Sequence, residues 1–149
     1  MELSENRPSI VFIGAGNVAT HLSKAFHDSG CRIKMIYSRT QESARALAEA
    51  IGCPYTTDIT SIDNDADIYI VSLKDSVLGS ILPELVKCNT KALYVHTAGS
   101  VSIDIWKGLT DRYGVMYPMQ TFSRKKCTHF SPTNVSYAVP PEICIMRFL

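Results

Sequence analysis

A glycine-rich turn near the N-terminus, residues 14–19, restricts the possible folds more than any other part of the chain. Its sequence, Gly-Ala-Gly-Asn-Val-Ala, fits the pattern G-x-G-x-x-[G/A]. The apolar run at residues 9–13 leads directly into the turn and is typical of a strand buried on both faces. Apolar residues at helical spacing (Val18, Leu22 and Phe26) lead out of it. Strand, glycine turn and amphipathic helix in this order predict the first unit of an open α/β sheet.

Each small residue of the turn has a distinct expected role. Gly14 permits the tight bend between strand and helix, and Gly16 lets the backbone approach a pyrophosphate without a Cβ atom in the way. Ala19 allows the helix to pack closely on the strand. Backbone N–H groups at the positive end of the helix dipole would then bind the phosphates. The alternative is a glycine-rich turn that binds no ligand.

The remainder of the pattern alternates strands with helices. It predicts strands at residues 32–37, 66–73, 92–97 and 115–117, a weak strand near 54–56, and a helix at 43–51. A further helix is expected to be capped by Asp75 and to break or restart at Pro83. This alternation implies right-handed crossovers. The predicted fold is therefore α/β and Rossmann-like, a doubly wound, mainly parallel sheet with helices on both faces.

The length of 149 residues suits one domain with a proper core. We expect a disordered N-terminus at residues 1–8 and a dinucleotide-binding Rossmann-like domain at residues 9–122. Residues 123–149 hold no clear helix and at most one or two strands, so they are expected to form an irregular tail. The tail closes on an apolar stretch that ends abruptly, which is consistent with the start of a truncated C-terminal domain.

The composition argues against several classes of partner. With a net charge of +1 and no basic stripe, we expect no binding to nucleic acid. No apolar stretch approaches the roughly 18 residues of a membrane helix, and no signal peptide is recognisable, so we expect a cytoplasmic protein with no membrane contact. The five cysteines never occur as C-x-x-C and the histidines form no ligand cluster, so no metal site is predicted.

The end of the second predicted strand distinguishes between dinucleotides. Domains specific for NAD place Asp or Glu there to bind the ribose 2′-hydroxyl. This chain has Ser38, Arg39 and Thr40 instead, and no carboxylate before Glu42. A guanidinium flanked by two hydroxyls attracts a 2′-phosphate. The sequence therefore favours NADP(H) over NAD(H) and argues against a methyltransferase, although Arg39 as a solvated arginine remains the alternative.

Two later strand ends are expected to face the same ligand, because ligands of doubly wound sheets lie across the carboxyl ends of the strands. One is the segment 72–75 and the other is the segment 96–100. Within them, Lys74 and His96 are the candidates for proton transfer to a substrate, and so for catalytic residues. The alternatives are a solvated loop lysine and a histidine held in place by a backbone group.

Taken together, these residues resemble the N-terminal domain of the pyrroline-5-carboxylate reductase-like superfamily, whose pattern coenzyme F420-dependent NADP oxidoreductases share. The runs at residues 11–19 and 37–40 carry this resemblance. His-Thr-Ala-Gly-Ser at 96–100 and Tyr-Pro-Met-Gln-Thr-Phe at 117–122 make the chain similar to a branch with a C-terminal domain of unknown function, the DUF2520 type. The likeness covers residues 10–122.

The resemblance implies a complete set of site residues. Those expected at the cofactor, together with the strand ends above, are Gly14, Ala15, Gly16, Asn17, Val18, Ser38, Arg39, Thr40, Ser72, Leu73, Lys74, Thr97, Ala98 and Gly99. Pro118, Gln120 and Thr121 are implied near a small-molecule substrate. Members of the superfamily continue into a helical C-terminal domain that closes the substrate cleft and commonly makes a homodimer.

Three functions remain open at this point. The leading hypothesis is an NADP(H)-dependent oxidoreductase, or its cofactor-binding domain, acting on an imine or carbonyl compound. The second is a sensor or regulatory module that binds NADP(H) without turnover. The third is a phosphate-binding Rossmann scaffold that takes no dinucleotide.

Overall fold

The computed structural model describes residues 8–98, 100–118 and 143–148. Its strands are β1 (Ser9–Ile13), β2 (Arg32–Tyr37), β3 (Tyr55–Thr56), β4 (Ile68–Val71), β5 (Leu93–His96), β6 (Tyr113–Pro118) and β7 (Ile143–Phe148). Its α-helices are α1 (Asn17–Asp28), α2 (Gln41–Ile51) and α3 (Asp75–Leu85). Two 3-10 helices, Ile59–Ser61 and Ile103–Trp106, lie in connecting segments. None of the described helices is long and apolar enough to cross a bilayer.

All the strands belong to one sheet in the order β3-β2-β1-β4-β5-β6-β7. The first six strands are parallel, and β7 pairs antiparallel with β6. The order reverses direction between β1 and β4, so the topological switch point lies between these two strands. The predicted Rossmann-like α/β fold is confirmed. Within the stretch expected to be an irregular tail, residues 143–148 form the antiparallel edge strand of this same sheet.

Alternation along each central strand divides the core into two layers. In β1, Ile10 and Phe12 pack on the face covered by α1 and α2, whereas Val11 and Ile13 pack on the face covered by α3. All four side chains are fully buried. Since both faces are covered by helices, β1 has no polar side, which explains why it appears in the sequence as a continuous apolar run.

Helix α3 differs from expectation at both ends. Lys74, not Asp75, occupies the N-cap position, and Asp75 is the first helical residue. The helix also continues through Pro83 to Leu85. Pro83 lacks the N–H that would bond to the residue four positions earlier, but it lies near the C-terminal end, where this costs one hydrogen bond. The adjoining Leu82 and Leu85 are fully buried and hold the last turn on the sheet.

Candidate cofactor-binding site

Four strand ends meet at one edge of the sheet. Ile13, the last residue of β1, is in register with Tyr37 at the end of β2 and with Val71 at the end of β4. Val71 is in turn in register with His96 at the end of β5. The segments that follow these four strands are the ones that the sequence predicts to bind a ligand, and the sheet brings them side by side.

Gly14 makes the turn out of β1 possible. Its φ angle is +121°, and its N–H donates to the carbonyl of Tyr37 at 2.7 Å. A Cβ atom at this position would lie 2.4 Å from the carbonyl oxygen of Ser72. Only glycine therefore lets the chain bend here while it lies against the neighbouring strand end.

Gly16 meets quite different surroundings. It is the N-cap residue of α1, with φ −82° and ψ −164°, and no heavy atom lies within 4 Å of the position that a Cβ would take. Asn17 and Val18, which follow, are exposed, while Ala19 is fully buried against the sheet. The glycine thus leaves free space beside the backbone at the start of the helix, which is what a pyrophosphate requires.

The helices that begin at this edge lack side-chain caps. Among the described residues, no side chain caps the N–H groups of α1, α2 or α3. Both 3-10 helices, in contrast, are capped, one by Asp58 and the other by Ser102. The first turn of α1 also contains no acidic residue, so the positive end of its dipole is not neutralised. These N–H groups remain available to an anion.

The end of β2 places a cation beside two hydroxyls. Ser38 is nearly buried, and its N–H donates to the carbonyl of Thr56 at 3.2 Å. The Ser38 Oγ accepts from the N–H of Thr40, which is the N-cap residue of α2. Arg39 between them is exposed and makes no ion pair with the residues that the structure describes. This arrangement suits a phosphate group at the edge of the sheet.

The ends of β4 and β5 are joined by side-chain hydrogen bonds. The Thr97 Oγ1 donates to the Ser72 Oγ at 3.2 Å, and the Ser100 Oγ donates to the carboxylate of Asp75. Leu73 is half-buried and Lys74 is exposed, with no ion pair for Lys74 in the described part of the chain. The two segments therefore form one connected wall beside the glycine turn.

His96 lies beneath that wall and not on it. Its side chain is 0% exposed, and its Nδ1 accepts from the N–H of Ala98 at 3.1 Å. Its ring stacks on Trp106, with 6.2 Å between centroids and 21° between planes. Burial lowers the pKa of His96, and the Ser102 backbone and the Asp75 carboxylate oppose this shift. A histidine in this position is enclosed by the protein and is not exposed at the edge of the sheet.

The sheet brings together most of the predicted cofactor residues, from Gly14 to Ala98. Gly99, Gln120 and Thr121 lie outside the described residues, and Pro118 is the last residue of β6, at the same edge. The sequence did not predict the Ser100–Asp75 bond or the stacking of Trp106 on His96. The available signals for the Ser100–Asp75 bond were an acidic residue at the start of a helix and hydroxyl side chains after a strand.

A cavity of about 470 Å³ lies at the opposite edge of the sheet. It is lined by the ends of α1 and α2 and by the beginning of β2, including Cys31 and Cys53. Its lining also includes Lys34 and Asp63, which form an ion pair with 3.3 Å between the Lys34 Nζ and the Asp63 carboxylate. Ligands of doubly wound sheets bind at the carboxyl ends of the strands, so this cavity is not the candidate site. The described residues contain no group of three or more metal-ligating side chains.

Comparison with protein families gives a match over residues 9–99 to the family described as "NADP oxidoreductase coenzyme F420-dependent". The match covers more than half of the chain and includes the glycine turn, the end of β2 and the ends of β4 and β5. Comparison with curated proteins gives no match.

Several solved structures share the fold. BF3122 from Bacteroides fragilis, assigned as an NADP oxidoreductase, is 50% identical, with a TM-score of 0.75 over 78% of this chain and 46% of its own. A pyrroline-5-carboxylate reductase from Coxiella burnetii is 23% identical, with a TM-score of 0.65 over 75% of this chain and 43% of its own. An imine reductase from Myxococcus stipitatus in complex with NADP+ is 22% identical, with a TM-score of 0.63 over 75% and 41%. The chain matches less than half the length of each.

The fold alone does not select the dinucleotide. Solved structures with this fold include complexes with NAD+ as well as with NADP+. The side chains at the end of β2 must therefore carry the argument for one or the other.

Proposed function

Because the chain belongs to the family described as coenzyme F420-dependent NADP oxidoreductases, we propose that it is the NADP(H)-binding domain of a reductase that acts on an imine or carbonyl compound. The observation that carries this proposal is an open helix start at Gly16 together with an exposed Arg39 one strand away, the first without a side-chain cap and the second without an ion pair among the described residues. The first suits a pyrophosphate and the second suits the extra phosphate of NADP(H).

The residues at the glycine turn would hold the pyrophosphate. Backbone N–H groups of Ala15, Gly16, Asn17 and Val18 lie at the start of α1, where the helix dipole favours negative charge. The space beside Gly16 accommodates the phosphate oxygens. Gly14 contributes indirectly, because its bend aims the start of the helix toward the ends of the neighbouring strands.

Arg39 would bind the 2′-phosphate, with the hydroxyls of Ser38 and Thr40 beside it. Ser38 Oγ already accepts one hydrogen bond, so its own proton is free for an anion. The first acidic side chain of α2, Glu42, lies in the first turn, beyond Thr40. NAD(H) carries a neutral 2′-hydroxyl in place of this phosphate and offers the cation no charge-assisted pair, which is why we assign NADP(H).

The wall formed by the ends of β4 and β5 would hold the rest of the cofactor. Ser72, Leu73, Thr97 and Ala98 supply an apolar side chain, two hydroxyls and backbone groups. Gly99, which lies outside the described residues, is proposed to take part as well. When bound, NADPH supplies the hydride, and the protein orients it and keeps competing water away. Pro118, at the end of β6, is proposed to stand on the substrate side together with Gln120 and Thr121.

Lys74 is the candidate for the proton donor. It is exposed and precedes α3 at the same edge, whereas His96 is fully enclosed. A general acid must come within hydrogen-bonding distance of the atom that it protonates. Of the two candidates from the sequence, Lys74 is therefore the one we retain as catalytic.

The cofactor assignment is tested by calorimetric titration of the protein with NADPH and NADH. Arg39→Ala should weaken NADPH binding by about 10- to 100-fold, as expected for the loss of charge-assisted hydrogen bonds, and leave NADH binding within about twofold. Arg45→Ala is the matched control, because Arg45 is an exposed arginine on α2 that pairs with Glu49 at 2.9 Å. Equal losses for both nucleotides in Arg39→Ala would refute the 2′-phosphate assignment.

Turnover is tested with the full-length protein and a panel of imines, 2-oxo acids and coenzyme F420, followed by loss of NADPH absorbance. Oxidation of NADPH that depends on the protein and one substrate class supports the reductase. Similarity to an imine reductase favours imines as the substrates, whereas the family description favours coenzyme F420. Tight NADPH binding with no turnover in any arm would favour the sensor.

A further inference from the structure

We propose that His96 is a positioning residue whose neutral imidazole fixes the backbone at Thr97 and Ala98 for cofactor binding, without contact to the substrate. The inference rests on the proposed NADP(H) function, because it concerns one wall of that site. It gives His96 a role different from the proton donor that the sequence suggested.

The hydrogen bond to Ala98 identifies the form of the imidazole. A ring nitrogen that accepts from an N–H group carries no proton, so Nδ1 is unprotonated and the single proton of the neutral ring lies on Nε2. Nε2 is buried and has no hydrogen-bond partner in the described part of the chain. Protonation of Nδ1 would replace an acceptor with a donor facing the Ala98 N–H. The two groups are then incompatible, and the Ala98 peptide must move.

The surroundings of His96 keep the ring neutral. Its neighbours in register, Val71 on β4 and Val115 on β6, are buried and apolar, and its ring packs on Trp106. The Ser102 backbone and the carboxylate of Asp75, at the start of α3, both favour the charged form of the ring. Burial outweighs the two together, and the pKa of His96 therefore lies below its ordinary value of 6.5.

His96 completes a set of bonds that immobilise the segment after β5. The N–H of Thr97 donates to the carbonyl of Val71 at 3.1 Å, and its hydroxyl donates to Ser72. These bonds fix Thr97 on β4, and the carbonyl of Ala98 accepts from the N–H of Val101 at 3.1 Å. The bond from the Ala98 N–H to His96 fixes the peptide between Thr97 and Ala98. Loss of the acceptor should therefore lower cofactor affinity through the wall and leave the phosphate contacts intact.

Trp106 provides a spectroscopic report on the same ring. It is the single tryptophan of the chain, it is fully buried, and it stacks on His96. An imidazolium in contact with an indole quenches its emission, whereas a neutral imidazole quenches it far less. The emission of the unliganded protein thus follows the protonation of His96 directly.

The test compares two variants with the wild-type protein. His96→Phe keeps a ring against Trp106 and removes the acceptor, whereas His96→Asn places an amide oxygen near the former Nδ1. At about pH 7.5, where the wild-type ring is neutral, His96→Phe should weaken NADPH and NADH to the same extent, by about tenfold. His96→Asn should remain within about threefold of wild type. Circular dichroism and thermal unfolding identify a variant that has not folded.

A pH series supplies the second arm and does not depend on the fold of a variant. As the pH falls, the emission of Trp106 in the wild-type protein should decline. The NADPH affinity of the wild type, divided by that of His96→Asn at the same pH, should decline with the same midpoint. The change in emission should be absent in His96→Asn. Emission that falls with no change in relative affinity would overturn the inference, as would wild-type affinity in a folded His96→Phe.

The experiment separates this inference from the proposed function. If the wild-type protein binds neither nucleotide, the proposed function fails and the inference fails with it. If it binds NADPH and Arg39→Ala discriminates between the nucleotides while His96→Phe changes nothing, only the role of His96 fails. If His96→Phe loses affinity for NADPH and NADH alike, while Arg39→Ala loses affinity for NADPH alone, the proposed function and the role of His96 are both supported.

Discussion

Gly14 and Gly16 lie two residues apart in one turn, and a side chain would meet different surroundings at each. At Gly14 the backbone has a positive φ angle and a Cβ would overlap the carbonyl of Ser72. At Gly16 the backbone is extended, and the space beside it is open. Gly14 is therefore needed for folding, whereas the lack of a side chain at Gly16 leaves room for the proposed ligand.

Substitution at the two glycines should separate stability from binding. Gly14→Ala should lower the free energy of unfolding by about 3 kcal/mol or more, because backbone strain and overlap with Ser72 add. Gly16→Val should change it by less than about 1 kcal/mol and should abolish binding of both NADPH and NADH. Urea unfolding and calorimetry measure the two effects. Unchanged nucleotide affinity in Gly16→Val would show that the turn is not the phosphate site.

At the scale of single residues, the sequence predicts what a local pattern encodes. The glycine turn and Arg39 could be placed at the carboxyl edge of the sheet because they directly follow β1 and β2 in the chain. The role of His96 could not, since it depends on Trp106, ten residues later, and on the covering of both faces of the sheet. Burial of a polar side chain is a property of the folded molecule, and the sequence around His96 is equally compatible with a ligand-facing histidine.

At the scale of elements, the buried strands were the most predictable. The predicted strand at 32–37 matches β2, and the expected strands at 66–73 and 92–97 contain β4 and β5. The ends of helices were less predictable because they depend on tertiary packing. Pro83 suggested a break in α3, yet the burial of Leu82 and Leu85 keeps the last turn helical. Strand β7 was not clearly foreseen, because pairing with β6 defines it.

Two glycines in helical segments should respond in opposite ways to alanine. Gly79 lies within α3 and Gly52 is the C-cap of α2 with φ +88°, and neither has a heavy atom within 4 Å of a new Cβ. Gly79→Ala should raise the free energy of unfolding by about 0.5–1 kcal/mol, through helix propensity. Gly52→Ala should lower it by about 1 kcal/mol, because alanine is strained in the left-handed conformation.

Thermal and urea unfolding of the two variants provide the measurement, and each serves as the control for the other. Both changes add one methyl group in open space. If the free energy of unfolding rises in one variant and falls in the other, the difference comes from backbone conformation and not from packing. Stabilisation by Gly52→Ala would mean that this residue does not adopt the left-handed conformation in solution.

At the scale of the whole molecule, two apolar layers cover both faces of the sheet and confine polar chemistry to its edges. The alternation of strands and helices was sufficient to predict this architecture and the edge of the sheet that carries the candidate site. The contacts that join the ends of β4 and β5 could not be predicted, because Ser100 meets Asp75 only after the sheet has formed. Buried titratable groups within the layers have a further consequence, a dependence of global stability on pH.

The free energy of unfolding should be greatest between about pH 6.5 and pH 9. On the acid side, burial lowers the pKa of His96, so below its ordinary value of 6.5 the unfolded chain takes up a proton that the folded protein does not, and stability falls. On the alkaline side, burial raises the pKa of the Cys53 thiol from 9.0 to about 11 and raises the pKa values of Tyr69 and Tyr94 above 10.0. The unfolded chain then releases protons first, and stability falls again.

Urea unfolding between about pH 5 and pH 10.5 tests both limbs, with the acid end kept above the range in which carboxylates titrate. His96 contributes at most about 1.4 kcal/mol per pH unit to the acid slope, the value for one proton. His96→Asn should remove that slope and leave the alkaline limb unchanged, while Cys53→Ala should reduce the alkaline limb alone. If the acid limb survives unchanged in His96→Asn, another group causes it. His96 would then take up its proton at the same pH in the folded and in the unfolded chain, and burial would not lower its pKa.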